Sequence, residues 1–106
     1  MSGPVQRWAV SQRLGLPTRK LVLVCLASYA DPRGRAVVSQ PDLAWACEMS
    51  EQTIRRVLRW LAAEGYVRRE PPGLGAHVNS PRQTFLQLDR RPDGLRPGGK
   101  RAKASR

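Results

Sequence analysis

Between Ser50 and Leu61 the chain carries a run that permits few conformations. Ile54, Val57, Leu58 and Leu61 recur at the i, i+3, i+4, i+7 spacing that lines one side of an α-helix, whereas Gln52, Arg55, Arg56 and Arg59 fall on the opposite side. Ser50 offers an N-cap oxygen, and Gly65 follows Glu64 where a helix ends in a left-handed residue. Together these signals predict a helix from about 51 to 64. One face of it is fit only for burial; the other is a Gln/Arg surface of the kind that reads base edges in a duplex major groove.

The charge balance points the same way. Nineteen lysines and arginines stand against eight acids, a net charge of +11 over 106 residues. Residues 1–89 hold twelve basic and seven acidic groups, while residues 90–106 hold seven and one. A polyanionic partner is the first inference. Sixteen of the nineteen basic residues are arginine, which codon bias can supply, but such bias does not account for the excess of base over acid. Regular apolar patterning stops near Asp89, leaving a folding unit of about 85 residues. A unit of that size buries roughly 60–65% of its unfolded surface and has little room for a deep substrate cavity. Paired carboxylates at usable spacing, a phosphate-binding glycine loop, a metal set and a Ser/His/Asp arrangement are all missing from the sequence, so no catalysis and no cofactor are expected. His77 is the single histidine and has no ligand or nucleophile partner in sequence. Cys25 and Cys47 lie inside apolar helical patterns without CxxC spacing, and read as small core residues in a reducing cytosol. The longest apolar run, 21–27, is far short of the roughly 20 residues of a membrane span, and the first sixteen residues lack a signal-peptide core. A cytoplasmic, nucleoid-associated protein is the expectation.

Upstream of the two-faced helix, Pro17-Thr18 starts a helix that the turn residues Asp31 to Gly34 end, with Val22, Cys25, Leu26 and Tyr29 as its stripe and further apolar residues covered on more than one side. Ala36 to Val38 is a short β-prone run. Ser39 then caps a second helix, with Pro41 in its first turn, Asp42 as the acidic partner of a capping box, and Leu43, Ala44 and Cys47 on its buried side. It ends near Met49, about three residues before the next helix, the helix-turn-helix arrangement. Within residues 1–17, Gln6 to Val10 reads as a short extended element and Trp8 as a lid over the core. Downstream, Tyr66 to Glu70 and Gln83 to Leu88 flank a Gly/Pro-rich loop; Thr84, Leu86 and Leu88 alternate with Gln83, Phe85 and Gln87, so the pair reads as a hairpin. Residues 90–106 hold Pro, Gly and basic groups with almost no apolar side chain, the composition of a disordered tail.

The order helix, short strand, helix, turn, helix, hairpin resembles the bacterial winged helix-turn-helix DNA-binding domains. Pro17 to Leu23, Leu26 to Asp31, Ser39 to Ala44 and Met49 to Arg56 are similar to helix-turn-helix proteins of phages and plasmids, of actinobacterial type, including replication initiators. The Leu-x-x-x-Gly-Tyr-Val segment from Leu61 to Val67 is also seen at the helix-to-wing junction of many transcription factors of this architecture. The resemblance implies a mainly α fold with a small β-hairpin: an N-terminal extension over 1–17, a domain of three helices plus wing over 18–89, and the basic tail over 90–106. It implies that Ser50 and Thr53 contact phosphate and that Gln52, Arg55, Arg56 and Arg59 face bases or backbone, Gln suiting adenine and Arg guanine. Arg55, at the flank of the stripe, suits a phosphate or an ion pair with Glu51 four residues earlier. Arg68, Arg69, His77, Asn79 and Arg82 of the wing suit phosphate or minor-groove contact, or plain solvation.

Sequence-specific binding of double-stranded DNA is therefore the expected activity, in transcription regulation or in the replication, maintenance or excision of a mobile element. The contrasting reading is a protein-interaction module, with the wing and Trp60 docking a replication or transcription protein and the basic tail tethering it to nucleic acid. Trp60, at the border of the stripe, fits core packing or a homodimer contact.

Overall fold

The computed structural model describes residues 3–70 and 82–89. The two-faced segment forms a helix, Glu51–Ala63, held at both ends by the residues expected to hold it. Ser50 Oγ accepts from the Thr53 amide at 3.1 Å. At the other end Gly65 adopts φ +84°. Its amide donates to Ala62 O at 3.1 Å and that of Tyr66 to Leu61 O at 2.9 Å, so two of the last carbonyls are satisfied by a Schellman turn. Leu61 and Tyr66, the apolar pair that flanks this turn, are both buried.

In chain order the elements are α1 (Pro4–Ser11), α2 (Pro17–Tyr29), β1 (Arg35–Val38), α3 (Gln40–Cys47), α4 (Glu51–Ala63), β2 (Val67–Arg69) and β3 (Arg82–Leu86). Ser39 Oγ accepts from the Asp42 amide at 3.1 Å and so caps α3. Asp42 adds negative charge to the first turn, although its carboxylate returns no bond to Ser39, which leaves the expected capping box half made. Glu48 ends α3 in the left-handed region, φ +56°, and the chain reaches α4 through Glu48, Met49 and Ser50. The core lies where α2, α3 and α4 meet: Leu23, Leu26, Leu43, Ile54, Leu58 and Leu61 are each almost wholly buried.

Two expectations are corrected. Residues 6–10 are helical, within α1, rather than extended. Val5 and Ala9 are buried four residues apart on one helical face, with Trp8 packed beside them, and Lys20 of α2 donates its ammonium to Val10 O and Gln12 O at the end of α1. The second correction follows from the first. With α1 packed on α2, the buried residues of α2 are Val22, Leu23, Leu26 and Ala27; Cys25 is half-buried and Tyr29 is exposed.

The hairpin of β2 and β3 forms, antiparallel, with Val67 opposite Leu86 and Arg69 opposite Thr84. β1 joins it, pairing Arg35 with Phe85 and Val38 with Arg82, so that β3 is the middle strand of a three-stranded sheet. Gly34 makes that pairing feasible. At φ +91° it accepts from the Leu86 amide at 2.8 Å, and a Cβ there would lie 3.0 Å from Leu86 O.

Candidate nucleic-acid interface

α4 presents Gln52, Arg55, Arg56 and Arg59 as exposed side chains, while Ile54, Val57, Leu58 and Leu61 on its other side are buried. Burial of that stripe fixes the rotation of the helix about its axis, and the four polar residues, spaced i, i+3, i+4 and i+7, therefore share one outward surface. Among the described residues none of the four makes an ion pair, including Arg55 with Glu51. Three guanidinium groups and a carboxamide are thus left with their donors available to an external partner.

Ser50 and Thr53 stand at the N-terminus of this helix and hold each other. Ser50 Oγ donates to Thr53 Oγ1 at 3.0 Å while accepting from the Thr53 amide. Thr53 is half-buried and Ser50 exposed, so the serine is the more accessible of the two.

The wing arginines are differently placed. Arg68 is exposed, ion-paired with Glu70 and stacked over the Phe85 ring at 4.4 Å. Arg69 and Arg82 are half-buried; Arg82 Nη2 donates to Glu70 O at 3.1 Å, and the Nε atoms of both are buried without a partner among the described residues. Burial, and secondarily the neighbouring Arg82 charge, lowers the Arg69 pKa. Arg68 and Glu70 share one face of β2, whereas Arg69, opposite Thr84, lies on the other face beside Arg82. His77 and Asn79 lie outside the described residues.

The aromatic support of α4 was not visible in the sequence. Trp60 is half-buried and packs on the core; its ring stacks on Tyr66 with centroids 5.9 Å apart and planes at 17°, and Arg19 of α2 covers it at 3.8 Å. This places Trp60 in packing. The one available signal was the Leu61-to-Val67 junction, which puts Tyr66 within reach of the last turn of α4.

No helix among the described residues is long and apolar enough to cross a membrane. Neither curated proteins nor solved structures gave a match to the chain. Residues 14–67, from the segment before α2 to the first residue of β2 and just over half of the chain, match the model of the family described as helix-turn-helix domain. The match spans α2, β1, α3 and α4, and it supports DNA as the partner of this domain. With its fold and this match in agreement, the chain belongs to the helix-turn-helix domain family.

Proposed function

We propose that the chain is a sequence-specific binder of double-stranded DNA. It lays α4 in the major groove and sets the wing arginines on the adjoining backbone or minor groove. The carrying observation is the outward row of Gln52, Arg55, Arg56 and Arg59, unpartnered on a helix whose other face is locked in the core. In this reading Gln52 and Arg56 contact base edges, Arg55 and Arg59 contact bases or phosphates, and Ser50, Thr53, Arg68, Arg69 and Arg82 serve the backbone. Binding is the whole activity, in the service of transcription control or of the replication, maintenance or excision of a phage or plasmid.

Selection of bound duplexes from a random pool tests this. The parent protein enriches one site; an inverted repeat in that site identifies a two-fold dimer. Gln52→Ala and Arg56→Ala each relax preference at one base pair by about 1–3 kcal/mol while the circular dichroism stays that of the parent. Ile54→Asp, which buries a charge, unfolds the domain instead. Alanine variants that select the parent's site with undiminished preference would show that α4 is not the reader.

A further inference from the structure

Trp45 is 85% exposed, the most exposed large apolar side chain among the described residues. It stands on α3 over an open depression of about 920 Å³ whose lining includes Pro41, Ala44, Glu48, Met49 and Glu51 and contains no lysine or arginine. In a chain with more than twice as many bases as acids, this surface has the opposite sign. Asp42 and Glu48 lie one helical turn to either side of Trp45, Glu51 opens α4 next to it, and none of the three carboxylates forms an ion pair among the described residues. A guanidinium is attracted, by the carboxylates and by the face of the indole together. The described residues use that pairing twice already, Arg19 over Trp60 and Arg68 over Phe85, and leave Trp45 without a cation.

From this juxtaposition we infer that the depression beside Trp45 is a docking site for the chain's own arginine-rich C-terminal segment, residues 90–106. The segment carries seven basic groups against one acid, the complement of the site. Seventeen residues span up to roughly 55 Å when extended. That exceeds the molecule's longest dimension of 49 Å, so reach does not limit the contact. Tethering presents the segment at an effective concentration in the millimolar range, which favours it over a free basic partner of equal affinity. The docked segment lies at the N-terminal end of α4, and DNA phosphates compete for it. That competition rests on the DNA-binding reading above; the docking does not.

The test uses the full-length chain throughout. Amide and indole NMR spectra at low salt are compared between the parent and a variant carrying Arg96→Gln, Lys100→Gln, Arg101→Gln and Lys103→Gln. The Trp45 indole signal, assigned by its loss in Trp45→Phe, and the Glu48 and Glu51 amides shift between the two proteins, the Trp8 and Trp60 indoles do not, and the difference vanishes at high salt. Unchanged Trp45 signals overturn the proposal, and so does a shift that grows with protein concentration, which identifies a second copy as the occupant. With duplex of random sequence, Trp45→Ala frees the segment and tightens binding roughly two- to fivefold in the otherwise native chain, with a smaller effect in the fourfold-substituted one. Weaker binding in both backgrounds overturns the proposal by placing Trp45 on DNA. If the parent binds no duplex at all, the DNA-binding reading fails while the spectral comparison still decides the docking.

Discussion

Cys47, at the end of α3, illustrates how a single side chain reports on the packing of the core. It is buried, it is free, and desolvation, together with the hydrogen bond its thiol donates to Cys25 Sγ, pushes its pKa from the ordinary 9.0 up to about 12. The folded protein therefore holds a proton that the unfolded chain releases first. That contribution to stability is complete below pH 9 and declines between pH 9 and 12. We expect the urea midpoint of the parent to fall between about pH 8 and pH 10.5 by more than that of Cys47→Ala, whose own midpoint is lower at neutral pH because a cavity replaces the thiol. Equal pH dependence in the two proteins would mean that Cys47 is not shielded as its burial implies. Cys25, half-buried, is the thiol that alkylating reagents should reach first.

At the scale of elements, the ends of α3 and α4 were legible because caps are local: Ser39, Ser50 and Gly65 each act within a few residues of their own position. The Ile54/Val57/Leu58/Leu61 stripe was legible for the same reason, its period being internal to one helix. α1 was not. Its period-2 look over Gln6 to Val10 competed with an i, i+4 burial of Val5 and Ala9 that exists only because α2 passes beside it. The α2 stripe was misplaced by the same missing neighbour. At the interface, the outward set on α4 followed from the stripe, whereas the stacking of Arg68 on Phe85 depends on pairing between strands that one-dimensional pattern does not record. Gly65 gives the sharpest test at this scale. Alanine at φ +84° meets no neighbour within 4 Å yet must adopt a left-handed backbone, so Gly65→Ala should cost about 1 kcal/mol of stability. Chemical denaturation measures that loss; on the proposed reading the selected DNA sequence should not change, since the outward face of α4 is untouched.

For the whole molecule, the distribution of charge predicts the response to salt. With about five phosphates neutralised by residues 1–89, log affinity for duplex should fall with log salt at a slope near −4 to −5. The tail, expected from composition to be disordered, lies outside the described residues; as a polycation it should add affinity without sequence preference. Ending the chain after Asp89 should weaken binding to all duplexes by a similar factor and lower the slope found for the intact chain, with the same site still selected. Filter binding across a salt series reads the slope, and repeating the selection reads the site. Enrichment of a different sequence would make the tail part of the reading surface.

The position of β3 has a consequence in time as well as in space. Among the described residues β1 and β2 do not pair with one another; both pair with β3, and the β3 partners of β1 lie about fifty residues away along the chain. Helices α2, α3 and α4 can assemble from neighbours in sequence, but sheet closure must wait for five late residues, Arg82 to Leu86. During synthesis α4 can therefore form before the hairpin does, and a product that stops short of Arg82 leaves two strands with unsatisfied edges instead of one missing hairpin.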